Sequence, residues 1–298
     1  MRKSLITTAV LGALLAPSFV FAADAAPAPD WTLTSNVGVF SQYIFRGLTQ
    51  TNRHAALQGG IDLSHSSGLY AGVWASNISW LTDANPQWYT SGSIETDLYA
   101  GFRKEIASTG VTADLGVLQY YYPGHRVKGG SFANTTEVYG ALSYGWVQGK
   151  ISVVGSRDAW TVGKNSPDHE DARGTFYAEL NATVPVGDLI GKDAGALSGV
   201  SLIGHIGRQE FNGDKNIWAP TGIGGRTLSN NDFSYTDYKL GIQKTFGEGT
   251  FNGTTLGVFA SYADTEETSL WDSRNGNPRE LGAATGTAFI QERSKNNC

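Results

Sequence analysis

The chain has 298 residues, of which 40% are hydrophobic, 11% aromatic and 16% charged, with 38 Gly and a formal net charge of −5. Charge lies well below, and Gly well above, the averages of about 25% and about 7%. Even so, 8 Trp, 13 Tyr and 13 Phe offer too much apolar surface for a disordered chain. An acidic balance with no basic stretch argues against nucleic acid as a partner, and the single cysteine, Cys298, cannot close an internal disulfide.

The first segment predicts export. Arg2 and Lys3 precede an apolar core from Leu5 to Val20, and Val20-Phe21-Ala22 offers a cleavage site, so residues 1–22 read as a signal peptide. No Cys follows that site, which argues against a lipid anchor. Residues 23–30, with Pro27 and Pro29, read as a flexible leader. Beyond them no window of about 18 apolar residues remains, so any membrane crossing has to use strands.

From Trp31 onward the period is two, the pattern of a strand with one face against apolar material. Ile94, Thr96, Leu98, Ala100 and Phe102 share one face, with Glu95, Asp97, Tyr99, Gly101 and Arg103 on the other. Leu57, Ile61 and Leu63 oppose Gln58, Gly60 and Asp62; Leu115 and Val117 oppose Asp114 and Gly116; Leu180 opposes Tyr177, Glu179 and Asn181. The pattern predicts about twelve strands, over 31–47, 55–65, 69–78, 93–104, 111–121, 135–146, 150–157, 174–185, 199–208, 235–246, 254–263 and 282–291. The segment 69–78 is ambiguous, because Tyr70 and Trp74 lie opposite Leu69, Ala71 and Val73. Residues 292–298 form an atypical tail after a domain spanning 31–291.

Connections alternate between shorter and longer. The longer ones, near 79–92, 122–134, 158–173, 209–234 and 264–281, belong to one end; the first connection, near 48–54, belongs with them by order but is short. Such asymmetry suits a barrel with tight turns on the periplasmic side. A soluble sandwich would put the apolar faces inward. Three features favour the barrel: strands of about ten residues, near the length that crosses a membrane tilted; acidic residues recurring on the minor face; and aromatics at strand ends, namely Tyr43, Phe45, Tyr120, Tyr121, Tyr144, Trp146, Phe246 and Tyr262, as in interfacial girdles. The expected class is all-β: a transmembrane, antiparallel, up-and-down β-barrel of about twelve strands in the cell outer membrane, with its lipids as partners.

Several blocks carry a family resemblance. Ser41-Gln42-Tyr43-Ile44-Phe45-Arg46-Gly47-Leu48-Thr49-Gln50 and Ala55 to Asp62, then Ser67 to Asn77, Glu95 to Gly101, Tyr120 to Gly124 and Glu137 to Gly140, resemble in order the blocks of the TorF family of outer-membrane porins. The similarity runs from about residue 35 to about 265. It implies a bacterial outer-membrane barrel with porin activity and names no solute. In one respect the chain departs: such barrels end on a terminal aromatic that assembly machinery, a further expected partner, reads. This chain ends Gln291-Glu292-Arg293-Ser294-Lys295-Asn296-Asn297-Cys298, so either the final strand is altered or its end was lost to a frame change.

The alternation sends inward Asp62, Glu95, Asp97, Asp114, Glu137, Glu179 and Asp237, against Arg46, Arg103 and Lys239, together with Tyr99, Tyr139 and Tyr177. An ionised Lys or Arg facing lipid near the midplane would cost about 2–4 kcal/mol, so in a barrel these groups line the interior. The acidic excess predicts a weak cation preference, unless the charges pair across strands and fill the lumen. Arg46, on the polar face near the outer end of the first strand, could pair with Asp62 or another lumen carboxylate and shape a constriction, or simply pin register. The expected function is passive diffusion of small polar or cationic solutes, without cofactor or covalent chemistry. A closed barrel with a structural or surface-binding role is the alternative.

Enzyme readings are weak. His65 and Ser67 have the His-x-Ser spacing of an outer-membrane phospholipase but fall in a tight turn, and His54, His125, His169 and His205 are scattered without metal spacing. Asp168-His169-Glu170-Asp171 reads as a solvated charge cluster, and Thr221-Gly222-Ile223-Gly224-Gly225 lacks the context of a phosphate loop. Trp80, Trp88, Trp160, Trp218 and Trp271, several of them in long connections, could stack on sugars or pack loops.

Overall fold

Almost every segment of period two forms a strand. The structure, a computed structural model, describes residues 30–83, 89–128, 132–160, 162, 171–191, 195–213, 230–265, 284–289 and 295–296; the expected signal peptide and most of the leader lie outside these. The strands are β1 (Trp31–Phe40), β2 (Ile44–Phe45), β3 (Leu48–Thr49), β4 (Ala56–His65), β5 (Leu69–Asn77), β6 (Tyr89–Ser91), β7 (Ile94–Glu105), β8 (Val111–Tyr121) and β9 (His125–Arg126), followed by β10 (Thr135–Tyr144), β11 (Val147–Val154), β12 (Phe176–Pro185), β13 (Val200–Glu210), β14 (Tyr235–Thr245), β15 (Thr255–Thr265), β16 (Ala284–Phe289) and β17 (Lys295–Asn296). Two short helices, α1 (Trp80–Asp83) and α2 (Val186–Ile190), sit in connections.

Thirteen strands form one antiparallel sheet in the order β16-β15-β14-β13-β12-β11-β10-β8-β7-β5-β4-β1-β17. Each of its long strands pairs with the next in sequence, the up-and-down pattern. At the far end β16 pairs with β15 from Gly257↔Ala288 to Ser261↔Ala284, and also with β1 through Val39↔Phe289 and Phe40↔Ala288. Lys295 and Asn296, in the stretch expected to be a tail, pair with Thr34 and Leu33 of β1.

The first strand ends earlier than the alternation suggested. β1 stops at Phe40, and residues 41–55 form a long inward connection rather than strand followed by a short link. Tyr43 N–H donates to Thr51 Oγ1 (3.0 Å) and Gln50 N–H to the Tyr43 carbonyl (2.8 Å). Between these closures β2 and β3 form a two-residue hairpin, with Phe45 opposite Leu48. Its turn residues, Arg46 (φ 47°) and Gly47 (φ 78°), both have the positive φ of a type I′ turn, whose twist matches antiparallel strands.

The sheet has its polarity reversed relative to a soluble domain. Leu98 is 51% exposed, Leu115 64%, Leu180 51% and Leu240 71%, whereas Glu95, Glu137, Gln209 and Asp237 are at most 2% exposed. Leu98, Leu115 and Leu180 therefore do not pack in a dry centre, and the sandwich reading falls. The ambiguous segment resolves the same way: Leu69 and Val73 face out, while Tyr70 and Trp74 meet interior residues.

Glycine sets how tightly the inner tyrosines pack. A Cβ at Gly72 would lie 2.5 Å from the Tyr99 ring, and one at Gly116 2.5 Å from that of Tyr139. Both pairs sit in register on adjacent strands. Tyr70 covers its register partner Gly101, and Tyr177 covers Gly207, two residues from its own partner Gln209. Each ring takes the place of a missing side chain and covers bare backbone, the pairing that holds register where glycine alone would weaken a strand.

Candidate functional site

The turn of the β2–β3 hairpin rests on the inner face of the sheet. Tyr43 packs on Trp74 of β5 and donates its hydroxyl to Glu95 of β7 (2.8 Å). Phe45 meets Tyr120 of β8 edge-on. Arg46 reaches β10, β12 and β13, and a Cβ at Gly47 would lie 2.6 Å from Asp237 Cβ on β14 and 3.0 Å from Ala263 Cβ on β15. A flat sheet could not bring strands from β5 to β15 to one short hairpin, so the sheet curls around it.

Arg46 is the centre of this contact. Its Nη2 donates to both oxygens of Glu137 (3.0 and 2.8 Å), and Nη1 donates to Gln209 Oε1 (2.7 Å). The guanidinium carbon lies 4.1 Å from the Tyr177 ring centroid, 4.7 Å from Phe45 and 5.0 Å from Trp160. Burial alone would lower the basicity of Arg46, but the Glu137 charge and its hydrogen bonds outweigh this and hold it above its usual value. Tyr43 is likewise shifted: burial first, then the Glu95 and Asp97 charges, keep its phenol well above the ordinary range, so it stays a donor.

The other inward residues fall into two groups. On the β4–β10 side, Tyr99 donates to Asp62, and Arg103 pairs with Asp114 through Nε and Nη2 (2.9 and 2.6 Å). Tyr70 bonds both Asp114 and Tyr139. On the β11–β14 side, Lys150 lies 3.8 Å from Glu179 and Asn181 donates to Glu179 (2.8 Å). Tyr177 donates to Asp237 (2.8 Å), and His205 stands between Asn181 (2.6 Å) and Asp237 (3.0 Å). Most interior carboxylates therefore already hold a cation or a hydroxyl; the ion pairs of Glu137, Asp114 and Glu179 offset their charges, whereas a tyrosine hydroxyl leaves the charge of its carboxylate in place.

Two charged groups on the inner face of the strands remain open. Asp97 Oδ1 is buried without a hydrogen-bond partner. The Lys239 ammonium makes no hydrogen bond or ion pair among the described residues and lies 5.5 Å from the Phe259 ring. Six strand-to-strand steps separate β7 from β14 in the sheet, yet both residues border one cavity of about 80 Å³, bounded also by the hairpin. It exceeds the space that one water requires, about 10–15 Å³ on the same measure.

The structure corrects several expectations. Arg46 is on a turn inside the sheet, not on the face of the first strand; of the inward carboxylates it takes Glu137, while Asp62 bonds Tyr99. Tyr43, Phe45 and Tyr120 are not girdle residues, because they pack around that turn. Tyr121, Tyr144, Trp146 and Tyr262 do face outward. Trp80 packs on Tyr122 and Trp160 on Phe45 and Tyr120, so neither offers a face to a sugar; Trp88, Trp218 and Trp271 lie outside the described residues, as do Asp168 to Glu170 and Thr221 to Gly225. His65 Nδ1 lies 2.8 Å from Ser67 Oγ within its turn, a local bond that caps the β4–β5 connection. Among the described residues no group of His, Cys, Asp or Glu could hold a metal ion.

Sequence reasoning missed Gln209, His205, Lys150 and Trp160. The first three carried a usable sign: Leu202 and Ile206 face out on β13, so residues of opposite parity face in, and Lys150 shares its parity with buried Gln148 and Ser152. Trp160 had none, since a loop places it.

Comparison with known proteins fixes the family. The description "Bacterial protein of unknown function (Gcw_chp)" matches residues 24–293. The chain belongs to this family. A search of curated proteins found no match to this Gcw_chp chain. Among solved structures it is similar to the NanC porin (10% identity, TM-score 0.44, covering 89% of this chain and 100% of that one). It is also similar to OccAB1 from Acinetobacter baumannii (10%, 0.40, 92% and 67%) and to the outer membrane protein OprD from Pseudomonas aeruginosa (12%, 0.38, 89% and 66%).

Proposed function

We propose that this Gcw_chp chain is a porin-like channel, akin to the TorF family, that spans the outer membrane of a Gram-negative bacterium as a β-barrel of about twelve strands. Small polar or cationic solutes would diffuse passively through its interior, past a constriction made by the β2–β3 hairpin. The observation that carries this reading is the reversed polarity of the sheet: large aliphatic side chains are bare outside while carboxylates are buried inside. In water such an outer face would drive association; in hydrocarbon it is the stable arrangement, provided backbone groups are paired all round. The pairing of β16 with both β15 and β1 supports closure.

No proton transfer or covalent step is needed. Selectivity would follow from the lining: paired charges leave a modest acidic surplus, with Asp97 as its least satisfied member, so cations are favoured weakly over anions. The pinned hairpin and the small cavity favour a second reading, a barrel closed at rest. Recordings of the refolded protein in planar bilayers separate the two. Stepwise conductance with a reversal potential toward the cation side is expected. Anion selectivity would overturn the lining argument, and silence would leave the closed barrel.

A further inference from the structure

We infer that the interior carries a recognition site for the guanidinium group, occupied in this structure by the chain's own Arg46, and that solutes bearing guanidinium are those the channel takes best. The inference rests on the channel reading for its transport part and on geometry for the site itself.

Guanidinium is flat, carries its charge over the whole plane, and donates in a fixed fork. The pocket around Arg46 matches each property with a residue outside the hairpin. Glu137 accepts two of its hydrogen bonds and Gln209 a third, and both side chains are 1% exposed. The Tyr177 and Trp160 rings lie within 5.0 Å of the guanidinium carbon, so their faces stabilise the delocalised charge. The pocket is also held in shape independently of its occupant. Tyr177 donates to Asp237, Tyr120 donates to Glu137 (3.1 Å), and the Gln209 amide donates to the Phe176 carbonyl (3.1 Å). The Trp160 backbone N–H donates to Thr135 Oγ1 (2.9 Å).

The occupant sits on a turn, whereas Glu137, Tyr177 and Gln209 sit on strands of the sheet. Tyr43 and Phe45 anchor the rest of the hairpin, so the turn does not depend on the Arg46 side chain alone. A solute guanidinium entering as Arg46 leaves would spare Glu137 the exposure of an unpaired buried charge. The adjoining cavity holds the open Asp97 Oδ1 together with the Lys239 ammonium, a polar space beside the exchange.

The full chain, refolded in detergent and in vesicles, tests this. Arg46→Ala empties the pocket. Millimolar guanidinium chloride, far below denaturing concentration, should then raise the heat-unfolding midpoint of that variant and reduce its conductance, while equal NaCl or urea does neither. Adding Glu137→Gln should abolish the response. In wild-type vesicles, arginine should enter about tenfold faster than lysine, which bears the same charge on an ammonium that lacks the planar fork. Equal responses of R46A to guanidinium and sodium, or equal uptake of the two amino acids, overturn the proposal. Should R46A not fold, the wild-type uptake ratio decides. Should no form conduct, the channel reading fails and the R46A midpoint still decides the site.

Discussion

Arg46 and Glu137, 91 residues apart in sequence, meet inside the sheet through two hydrogen bonds of 3.0 and 2.8 Å to one carboxylate. Both are nearly free of solvent, so the pair is worth most as a constraint: neither charge tolerates losing the other. Truncating one member of such a pair costs about 3–5 kcal/mol, because it strands the partner. We therefore expect Arg46→Ala and Glu137→Gln each to lower the heat-unfolding midpoint and raise conductance. The double variant should be little worse than either single one. A double-mutant cycle in which the effects simply add would show that the pair does not hold the hairpin.

Gly47 should be as sensitive as Arg46, for a steric reason. It combines φ 78° with a Cβ position only 2.6 Å from Asp237 Cβ. Gly47→Val cannot seat without moving the tip away from β14, and a β-branched residue at positive φ is strained in any case. The expected result is a larger, noisier conductance with the sheet intact, measured by single-channel recording beside circular dichroism. Unchanged conductance would mean the hairpin does not set the bore.

The tyrosine–glycine pairs predict a contrast within one residue type. Gly72→Val and Gly116→Val put side chains where the Tyr99 and Tyr139 rings lie. Overpacking of this kind costs about 1–3 kcal/mol. Gly149→Ala and Gly204→Ala, where no atom lies within 4 Å of a new Cβ, should leave the midpoint in place. The four midpoints, read from the shift in gel migration on heating, check this in one series.

The strands were legible because this sheet separates an apolar outer face from a polar inner one so sharply that parity alone assigns them. Leu98 and Glu95, or Leu180 and Glu179, differ in burial as the alternation requires. Parity also held for His205, which sequence reading left among scattered histidines, and for Gln209, which it placed in the connection after residue 208, because it followed acidic residues and not the phase of Leu202 and Ile206. The hairpin was not legible. The sequence reading carried the first strand on through Ser41 to Gly47, and Arg46-Gly47 lacks the Asn-Gly or Asp-Gly signature of a type I′ turn. Its location depends on Glu137, Tyr177 and Gln209, whose partnership is a property of the curled sheet and not of any local stretch.

The outer face offers the last prediction. Leu115, on β8 with Val117 beside it on the same face, is 64% exposed, and its cross-strand neighbours are Phe102 and Gly140. If that face meets acyl chains, Leu115→Arg should destabilise the folded form in lipid vesicles by about 2–4 kcal/mol near the midplane, whereas Leu115→Phe should be tolerated. In a water-soluble fold the same exposed position would accept Arg at nearly no cost. Folding yield of the two variants into vesicles therefore separates the environments without reference to any transported solute. An Arg variant that inserts as well as wild type would place water, not hydrocarbon, against β8.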